Sequence, residues 1–476
     1  MSHSKFGLFL SAKKFTLDDQ FLFARLSGDF NPIHVDIIYS RRTLYGHCIV
    51  HGVNASMWAI DALIKKIGIY PSSYKCKFKK PIFLDESVSC YWNDTNKILT
   101  IATGDIEVTT ISIVSSLITV DNINYDDLKF QHRFDKSTEP INLSPSDYLS
   151  VEKIQNWIPS GEIELAKSLF PFFCKYLGLY TVLEISTLSK IVGMQYPGLH
   201  SLFASLNIQL FMPSDVRSFM ITNFDARFNK VDLHAKGKLI SASIEAFFRP
   251  QPTKSESLFN LSKLVHKNEF HKVRALIIGG SRGIGEVVAK LICAGGGSVT
   301  LTYHVGLSDA KNLSSEIQAA GGNCNYIQYS IQTHPEDINL PTSFNQIYYF
   351  ASPKILAESS KINNEGLVSN YINYYVEGFD KICNYFSKHS PSISIYYPST
   401  VYIDEPTNEF TAYINAKLLG EGICKEYNFK KIIHVISNRL PRLPSDQNQG
   451  IIPEDLADIP VTIIPIIRSM TLKKSK

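Results

Sequence analysis

The sequence has 476 residues, of which 44% are hydrophobic and 19% are charged, and its formal net charge is +4. This length exceeds what one compact core holds and predicts about two to four domains, while a small net charge without long basic runs excludes an ordinary nucleic-acid-binding surface. No apolar run reaches the roughly 18 residues of a membrane span. The eight cysteines are scattered without metal-ligand spacing, so we expect reduced thiols, no metal site, and a cytoplasmic protein without a membrane span or a secretory signal.

The first segment, residues 1–130, combines helical patterns with short alternating runs. A helix is predicted over "LDDQFLFARLSG", and "GVNASMWAIDALIKKIG" has apolar residues at helical spacing, which is typical of a buried helix. The runs "YKCKFKKPIFL", "SVSCYWND", "KILTIATGD" and "EVTTISIVSSLITV" predict antiparallel strands. We therefore expect one long helix wrapped by a curved sheet.

The loop "SGDFNPIH" of this segment places Asp29 and His34 five positions apart. Gly, Asp, Asn and Pro each favour turns, so one interpretation is a turn that ends the preceding helix. The other interpretation is a functional pair, because a carboxylate and an imidazole fixed on one stiff loop can both give and take protons. Pro32 stiffens the loop, and Asn31 can hydrogen-bond across it.

The second segment, residues 140–252, repeats the order of a helix followed by strands. "GEIELAKSLFPFFCKYLGL" predicts a helix, and "LHSLFASLNIQLFM", "SFMITNFDARFNKVDLHA" and "GKLISASIEAFFRP" predict strands. We interpret this pattern as a weak structural duplication of the first segment, without a second "SGDxNPxH" loop. The polar stretch at 253–271 predicts a linker.

The third segment, residues 272–476, alternates strand-like and helical patterns, which predicts a parallel, doubly wound sheet. After its first strand, "IIGGSRGIGEVVAKL" opens a helix with three glycines in GxxxGxG spacing. Glycines let the backbone approach a pyrophosphate, and the helix N-terminus offers free N–H groups to it. This motif predicts nucleotide binding, with a tight turn that holds no ligand as the alternative. Its predicted cofactor-binding residues are Gly279, Ser281, Arg282, Gly283, Ile284 and Gly285.

Further along, "YYPSTVYIDEPTNEFTAYINAKLLGEG" places Tyr413 and Lys417 four residues apart on one face of a predicted helix. An ammonium beside a phenol stabilises the phenolate and lowers its pKa, so Tyr413 can pass a proton to or from a carbonyl or an alcohol. Ser399 or Thr400, at the end of the preceding strand, could hold the substrate oxygen. The alternative is a surface pair on the helix without a chemical role.

The glycine motif, the hydroxyl and the YxxxK pair occur in the order that resembles the short-chain dehydrogenase/reductase family. The resemblance implies that Tyr413 is the catalytic acid/base, that Lys417 also holds the nicotinamide ribose, and that the protein forms a homodimer. Some positions depart from the family. "YFASP", with Ala351, replaces Asn-Asn-Ala-Gly, Asn373 or Tyr375 stands in the place of a helix asparagine, and "SNRLPRLP" replaces a Pro-Gly. These departures leave open a domain that binds the cofactor but reduces poorly.

The cofactor predicted for the third segment is NADPH. An NAD site places an acid at the end of the second strand to bind the ribose 2′-hydroxyl, whereas this strand ends in Thr302-Tyr303-His304. Arg282 in the glycine loop could meet a 2′-phosphate, and the alternative for it is a solvated surface residue. Tyr303 and Ala351 complete the predicted cofactor site.

"FARLSGDFNPIHVDIIYS" and "CIVHGVNAS" in the first segment resemble MaoC-like hotdog proteins, the (R)-specific enoyl-CoA hydratases. The resemblance implies that Asp29 and His34 form a dyad that removes an α-proton and a β-hydroxyl from a 3-hydroxyacyl thioester. The backbone N–H of Gly52, at a helix N-terminus, would bind the enolate oxygen. Asn31 and Ser56 are candidate substrate contacts, with core packing or helix capping as the alternative for Ser56.

The same resemblance implies that the second segment is another hotdog, which has no dyad and shapes the acyl tunnel. His200, in "GMQYPGLHSLF", could contact a ligand there. We favour a satisfied structural histidine over a ligand contact at this position.

The sequence thus predicts a multidomain protein, an α+β double hotdog followed by an α/β Rossmann-type doubly wound sheet. The predicted function is NADPH-dependent reduction of a 3-oxoacyl thioester, carried by CoA or acyl carrier protein, and dehydration of the (R)-3-hydroxyacyl product to the trans-2-enoyl thioester. One alternative is the reverse direction, hydration then oxidation in acyl degradation. The other is an acyl-thioester-binding or scaffolding protein with a degenerate reductase domain.

Overall fold

The computed structural model of the chain describes residues 4–115, 139–146, 154–159, 162–212, 214, 216–252, 255–355, 364–390, 392–446 and 456–472. The described chain divides into two compact units, one that ends at Gln251 and one that begins at Pro252. Each unit has its own sheet and its own hydrophobic core.

The first unit is built on one ten-stranded sheet in which every neighbouring pair of strands is antiparallel. The strands are β1 (Leu8–Lys14), β2 (Pro71–Phe78), β3 (Ser87–Asn93), β4 (Ile98–Thr103), β5 (Ile106–Ser115), β6 (Ile154–Asn156), β7 (Ser201–Leu210), β8 (Ser218–Asp225), β9 (Lys230–Lys236) and β10 (Ile240–Phe248). Their order is β1-β3-β4-β5-β2-β7-β10-β9-β8-β6. Read outward from the central β2–β7 pair, the two halves have the same strand order. The predicted hotdog-like antiparallel sheet is confirmed.

Two buried helices pack against this sheet, one in each half. In the first half, α4 (Gly52–Ile67) is buried along most of its length, in agreement with the sequence. In the second half, α7 (Leu179–Lys190) is buried from Thr181 to Ser189 and continues as a π-helical turn at Ile191–Gln195. The shorter helices are α1 (Leu17–Ser27), α2 (Pro32–Val35), α3 (Ile37–Ser40), α5 (Ile163–Leu169) and α6 (Pro171–Leu177).

The single helix predicted over "GEIELAKSLFPFFCKYLGL" is wrong. This stretch forms α5 and α6, which are separated at Phe170 because Pro171 cannot continue a helix but suits the first position of a new one. The long helix of this half is α7, which the sequence did not indicate. A helix that is buried on all sides shows no apolar stripe at helical spacing.

The two halves of the first unit share one hydrophobic core and several polar contacts. Strand β2 pairs with β7 so that Tyr74 lies opposite Ile208. The carboxylate of Asp61, on α4, accepts a hydrogen bond from the backbone N–H of Phe173 on α6 at 2.7 Å. The first half therefore depends on the second half for part of its packing.

The second unit is a six-stranded, entirely parallel sheet in the order β13-β12-β11-β14-β15-β16. Its strands are β11 (Arg274–Ile278), β12 (Ser298–Tyr303), β13 (Asn323–Gln328), β14 (Gln346–Tyr349), β15 (Ser394–Thr400) and β16 (His434–Leu440). This is the doubly wound order with its reversal between β11 and β14, and it confirms the predicted Rossmann-type sheet. The helices are α8 (Leu258–Leu261), α9 (Gly283–Ala294), α10 (Leu307–Ala319), α11 (Asn364–Ile372), α12 (Gly378–His389), α13 (Thr411–Phe429) and α14 (Ile459–Leu472), with a π-helical turn at Asn373–Glu377.

The polar stretch predicted as a linker belongs to the second unit. It contains the one-turn helix α8, and Leu261 and Phe270 are completely or almost completely buried in the core beside β11 and α9. Gly295, at the end of α9, lies so close to the Phe270 ring that an added Cβ would be 2.5 Å from the ring. Widely spaced apolar residues in a polar stretch therefore do not show that it is a linker.

Among the described residues, no single helix is both long and apolar enough to cross a membrane. One pair of helices is long and apolar enough when taken together, but it is bent by 120°. The pair consists of α6 and the helix that α7 forms with its π-helical turn.

We expect Phe270→Ala to destabilise the second unit by about 3–5 kcal/mol, because it removes a buried aromatic ring and leaves a cavity. Chemical denaturation of the whole chain, with limited proteolysis to assign the transition of the second unit, measures this change. The matched control is Phe259→Ala, since Phe259 lies in the same stretch but is 71% exposed. Equally small losses of stability in the two variants would show that this stretch is a linker after all.

Candidate active sites

Asp29 is the buried carboxylate at the centre of the first candidate site. It follows Gly28, which ends α1 with a left-handed φ of 78°. One carboxylate oxygen accepts the backbone N–H of Asn31 at 3.1 Å, and the other accepts the hydroxyl of Ser189 at 2.6 Å. Burial raises the pKa of Asp29 to about 6, although both hydrogen bonds act in the opposite direction. The carboxyl group is therefore poised to change its protonation near neutral pH.

The second half of the sheet supplies much of the environment of this carboxylate. Ser189 lies on α7, and Gly193 lies in the π-helical turn that follows it. A Cβ added at Gly193 would lie 2.3 Å from Asp29 Oδ1, so only glycine lets the two segments approach this closely. Asn31 donates its side-chain amide to the carbonyl oxygens of Gly193 at 2.7 Å and Gly198 at 3.2 Å. Asn31 thus joins the two halves.

His34 lies in the one-turn helix α2, which Asn31 caps by accepting the N–H of Ile33. Its Nδ1 lies 2.8 Å from the carbonyl oxygen of Ile49. A carbonyl oxygen only accepts hydrogen bonds, so Nδ1 carries the proton and Nε2 is the basic nitrogen. Burial lowers the pKa of His34 to about 4, so the ring is neutral at physiological pH.

His51, just before α4, is a part of the site that the sequence argument missed, although it lies in "CIVHGVNAS". Its ring stacks on that of His34 with centroids 3.8 Å apart. Nδ1 lies 2.9 Å from Gln20 Oε1, and Nε2 lies 3.0 Å from the carbonyl oxygen of Asp29. The polar atoms of Asp29, His34 and His51 lie within 4.8 Å of one another. The distance would suit a metal, but both ring nitrogens of His51 already have hydrogen-bond partners.

Gly52 and Ser56 differ in their fit to the predicted roles. Gly52 is the first residue of α4, where backbone N–H groups lack helix acceptors, and an added Cβ would lie 2.9 Å from the Phe78 ring. The Ser56 hydroxyl donates to the carbonyl oxygen of Val53 at 2.9 Å and also contacts the Cys76 thiol on β2. These contacts agree with the interpretation of Ser56 as a core-packing residue, and its contact with substrate stays a prediction.

In the second unit, the three motif glycines lie between β11 and α9, and each has a different environment. A Cβ added at Gly279 would lie 2.8 Å from the backbone nitrogen of Ala351, and one at Gly285 would lie 2.6 Å from the Gly279 carbonyl oxygen. Gly283 begins α9 with a positive φ of 60°, and an added Cβ there would have no atom within 4 Å. Two glycines thus allow close packing, while the third faces open space. This arrangement fits a phosphate group at the helix N-terminus.

Arg282 is not the solvated surface residue that one interpretation predicted. Its guanidinium forms an ion pair with Asp446 at 2.6 Å. Lys354 donates to the backbone carbonyl of Asp446, also at 2.6 Å, and burial lowers the pKa of this lysine to about 8. A 2′-phosphate would therefore meet a cation that is already paired with an acid. Tyr303, at the end of β12, is half-buried against the ring of Tyr326.

The structure distinguishes the two hydroxyls at the end of β15. The side chain of Thr400 hydrogen-bonds that of Tyr413, whereas Ser399 donates to Glu421 at 2.6 Å. Glu421 is in turn paired with Arg439 at 2.9 Å. Only Thr400 is therefore directed to the tyrosine.

Lys417 lies one turn beyond Tyr413 on α13 and is almost fully buried. Its Nζ donates to the Pro398 carbonyl oxygen at 2.7 Å and lies 4.0 Å from the ring centroid of Tyr375, against 5.9 Å for Tyr413. The predicted lowering of the Tyr413 pKa is wrong: burial raises the pKa of this phenol. Burial also lowers the pKa of Lys417 to about 7, which weakens the charge that would stabilise a phenolate.

Of the two candidates for the place of the family's helix asparagine, Tyr375 is the one that contacts the lysine. It lies in the π-helical turn between α11 and α12, and its hydroxyl is 2.6 Å from that of Ser352, which follows β14. Asn373 begins the same turn.

A cleft of about 470 Å³ lies at the carboxyl ends of β15 and β16. In a doubly wound sheet, ligands bind outside the carboxyl ends of the strands. The cleft begins next to Thr400, and the "SNRLPRLP" stretch contributes to it. It is lined by Val401, Tyr402, Glu405, Thr407, Pro441, Arg442, Leu456 and Ala457.

Residues 9–116 match the family described as "MaoC like domain", which confirms the resemblance of the first segment to this family. No curated protein matches the chain. Solved structures that resemble it include FolM alternative dihydrofolate reductase 1 from Brucella canis complexed with NADP, with 14% identity and a TM-score of 0.38 over 43% of this chain and 90% of that one. A short-chain dehydrogenase/reductase from Serratia marcescens has 15% identity and a TM-score of 0.37 over 42% and 91%. The angucycline C-6 ketoreductase LanV with bound NADP has 14% identity and a TM-score of 0.38 over 42% and 90%. The fold of the second unit rests on its own strand order.

We expect Ser189→Ala to move the titration of Asp29 to higher pH, because the hydroxyl stabilises the carboxylate form. The shift should be roughly one to two pH units, since a hydrogen bond to a charged group contributes about 1.5–3 kcal/mol and one unit corresponds to about 1.4 kcal/mol. Carbon-13 NMR of protein with labelled aspartate measures it, with Asp29→Asn to assign the signal. Ser186→Ala is the matched control, because Ser186 is buried on the same helix and donates to Leu183. An unchanged midpoint in Ser189→Ala would show that this hydroxyl does not tune the carboxyl group.

Proposed function

We propose that the chain is a bifunctional acyl-thioester enzyme. It reduces a 3-oxoacyl thioester with NADPH to the (R)-3-hydroxyacyl thioester and dehydrates this product to the trans-2-enoyl thioester, in fatty-acid or polyketide-like biosynthesis. The observation that carries the proposal is the pairing of buried Asp29 with His34, in a region that matches the MaoC like domain. The substrate is carried by CoA or acyl carrier protein.

The protonation states of the dyad support His34 as the base and Asp29 as the acid in dehydration. The basic Nε2 of neutral His34 accepts the α-proton of the 3-hydroxyacyl thioester. Asp29, whose pKa burial raises to about 6, donates a proton to the departing β-hydroxyl, which leaves as water. The negative charge that develops on the thioester oxygen is stabilised by the backbone N–H of Gly52 at the positive end of α4. His51 and Asn31 act as positioning residues, since they hold His34 and the loop.

We also propose that the second half of the first unit is a second hotdog that lacks its own dyad. Its strand order from β7 outward repeats that of the first half, and α7 takes the place that α4 has there. This half would position Asp29, since Ser189 donates a hydrogen bond to the carboxylate and Gly193 leaves room for it.

For the reductase step, Thr400 and Tyr413 are proposed to hold the 3-oxo oxygen through their hydroxyls. NADPH would supply a hydride to the carbonyl carbon, and Tyr413 gives its proton to the oxygen. Burial raises the pKa of this phenol, so Tyr413 is protonated before the carbonyl oxygen takes its proton. Lys417 would hold the nicotinamide ribose.

The glycine loop is proposed to hold the pyrophosphate of the cofactor. Open space at Gly283 and the start of α9 support this assignment. A preference for NADPH is supported by Thr302-Tyr303-His304 at the end of β12, where no acid is present to bind a ribose 2′-hydroxyl. Arg282 would bind the 2′-phosphate by exchanging its partner Asp446.

The pH dependence of dehydration follows from these two protonation states. Dehydration needs neutral His34, with a pKa of about 4, and protonated Asp29, with a pKa of about 6. We expect kcat/KM for a 3-hydroxyacyl thioester to be level between these values and to fall about tenfold per pH unit above them. Initial rates from pH 4 to 9 measure this profile, and Tyr413→Phe should leave it unchanged. A rate that rises through pH 6 would instead make Asp29 the base.

The two-step reaction is tested by NADPH consumption with a short 3-oxoacyl thioester and mass spectrometry of the products. We expect the wild type to give the enoyl thioester, Asp29→Asn to stop at the 3-hydroxyacyl thioester, and Tyr413→Phe to oxidise almost no NADPH, each with losses of at least about a hundredfold. NADH in place of NADPH should react more slowly.

Two results would contradict parts of the proposal. If the protein dehydrates added 3-hydroxyacyl thioester but does not oxidise NADPH with the 3-oxoacyl thioester, the proposed reductase activity is contradicted. Binding of NADPH without turnover would favour a degenerate reductase, in which the Asp446 and Pro398 contacts of Arg282 and Lys417 persist.

A further inference from the structure

Arg249, just after β10, is a buried cation with unused hydrogen-bonding capacity. The side chain is only 2% exposed. Nη2 donates to the carbonyl oxygen of Leu199 at 2.7 Å and to the Tyr39 hydroxyl at 3.2 Å. Nε and Nη1 are enclosed and have no hydrogen-bond partner within the described part of the chain. A guanidinium is charged at any physiological pH, so this site holds a full positive charge.

Arg249 lies next to the dyad. The carbonyl oxygen of Leu199 that it binds also accepts the side-chain amide of Asn31, at 3.3 Å. The positive charge of Arg249 contributes to lowering the pKa of both His34 and His200, after burial as the main cause. The guanidinium is therefore close enough to influence the pKa of His34, the imidazole that would accept the α-proton.

His200 adds a second unused polar atom to this place. The backbone N–H of Arg249 donates to the carbonyl oxygen of His200 at 2.7 Å. His200 is 5% exposed, and its Nδ1 is buried without a partner among the described residues. The prediction of a satisfied structural histidine is therefore wrong for this nitrogen. In the tautomer with a proton on Nδ1, it can donate to an anion beside the guanidinium.

The described residues place no carboxylate within ion-pair distance of Arg249. A buried charge without a counterion is unfavourable, and a buried polar group without a partner is also unfavourable. Both are common where a ligand completes the site. An anionic oxygen group on a ligand would supply both a counterion for Arg249 and an acceptor for these unpaired donors.

The chemistry of an acyl thioester limits what this group can be. The phosphate of a pantetheine carrier is separated from the reacting carbons by the whole length of the pantetheine arm, whereas Arg249 lies beside the dyad. The enolate oxygen forms on every substrate and is assigned to the N–H of Gly52. The remaining source is the acyl chain itself.

We propose that Arg249 and His200 bind a carboxylate carried by the acyl chain, so that the dehydratase site takes 3-hydroxyacyl thioesters of dicarboxylic acids. This inference rests on the proposed dehydratase function of the dyad. The second half of the sheet then both orients Asp29 and selects the substrate.

The test compares two CoA thioesters of equal chain length, (R)-3-hydroxyadipyl-CoA and (R)-3-hydroxyhexanoyl-CoA, which differ in a terminal carboxylate against a methyl group. We expect wild type to prefer the dicarboxylyl substrate by at least about tenfold in kcat/KM. Arg249→Met should lower kcat/KM for it by about ten- to hundredfold, since a hydrogen bond to a charged group is lost. The loss for the hexanoyl substrate should be about tenfold smaller, because this substrate has no terminal carboxylate to bind.

Two further variants keep the test independent of folding. Arg249→Lys retains the charge and should keep part of the preference even if Arg249→Met is poorly stable. Arg227→Met removes a cation from the same half, where the side chain is 80% exposed, and should change nothing. Calorimetry with both thioesters measures binding separately from turnover.

The outcomes separate this inference from the proposed function. Binding of the dicarboxylyl thioester that depends on Arg249, without turnover of either substrate, would support the inference and contradict the dehydratase function. Turnover of both substrates without preference, or equal losses for both in Arg249→Met, would overturn the inference and leave the dehydratase function intact. Absence of any binding preference in wild type would also overturn it.

Discussion

The burial of one carboxylate, that of Asp29, is the constraint on which the first unit depends. A carboxylate removed from water loses its hydration, so its charged form is stable only where donors replace the lost water. Asn31 and Ser189 supply these donors, and the bare backbone of Gly193 leaves the room for them. Ser189 and Gly193 lie on α7 and its π-helical turn, in the second half of the first unit. The site is therefore complete only when β2 and β7 have paired and α7 has packed.

A comparable constraint acts in the second unit, with the opposite charge. Lys417 is enclosed by the rings of Tyr375, Tyr397 and Tyr413, and its ammonium has the Pro398 carbonyl as its acceptor. Burial raises the pKa of Asp29 to about 6 and lowers that of Lys417 to about 7. Both units thus use a low-dielectric setting to bring an ionisable group toward neutrality, where small changes in environment alter its charge.

The parts of the structure that were predictable from the sequence are those fixed by local contacts. The loop with Asp29, Asn31 and His34 is closed by hydrogen bonds between residues two or three positions apart, and its spacing is visible in the sequence. The glycine loop after β11 and the YxxxK pair on α13 are equally local. The parallel sheet follows from the alternation of strand and helix.

What the sequence could not predict depends on contacts between distant residues or on burial. Ser189 meets Asp29 from 160 positions away, and no local pattern marks it. Helix α7 is buried on all sides, so its sequence has no apolar stripe at helical spacing. In the stretch predicted as a linker, the core residues are too far apart to form a recognisable pattern. The sequence correctly predicts that Tyr413 and Lys417 lie one turn apart on a helix, but their pKa values depend on the aromatic rings around them, which the spacing does not reveal.

The matching strand orders on the two sides of the β2–β7 pair have a consequence for how such a chain can change. In an assembly of two identical copies, every substitution appears twice, so a residue that serves catalysis in one copy cannot be replaced in the other. A single chain that contains both halves is free of this restriction. Under the proposed function, it would hold one acid–base centre where the symmetric assembly would hold two, and the half without the acid would be free to diverge. Its loops could then adapt to a new acyl group without disturbing proton transfer in the other half.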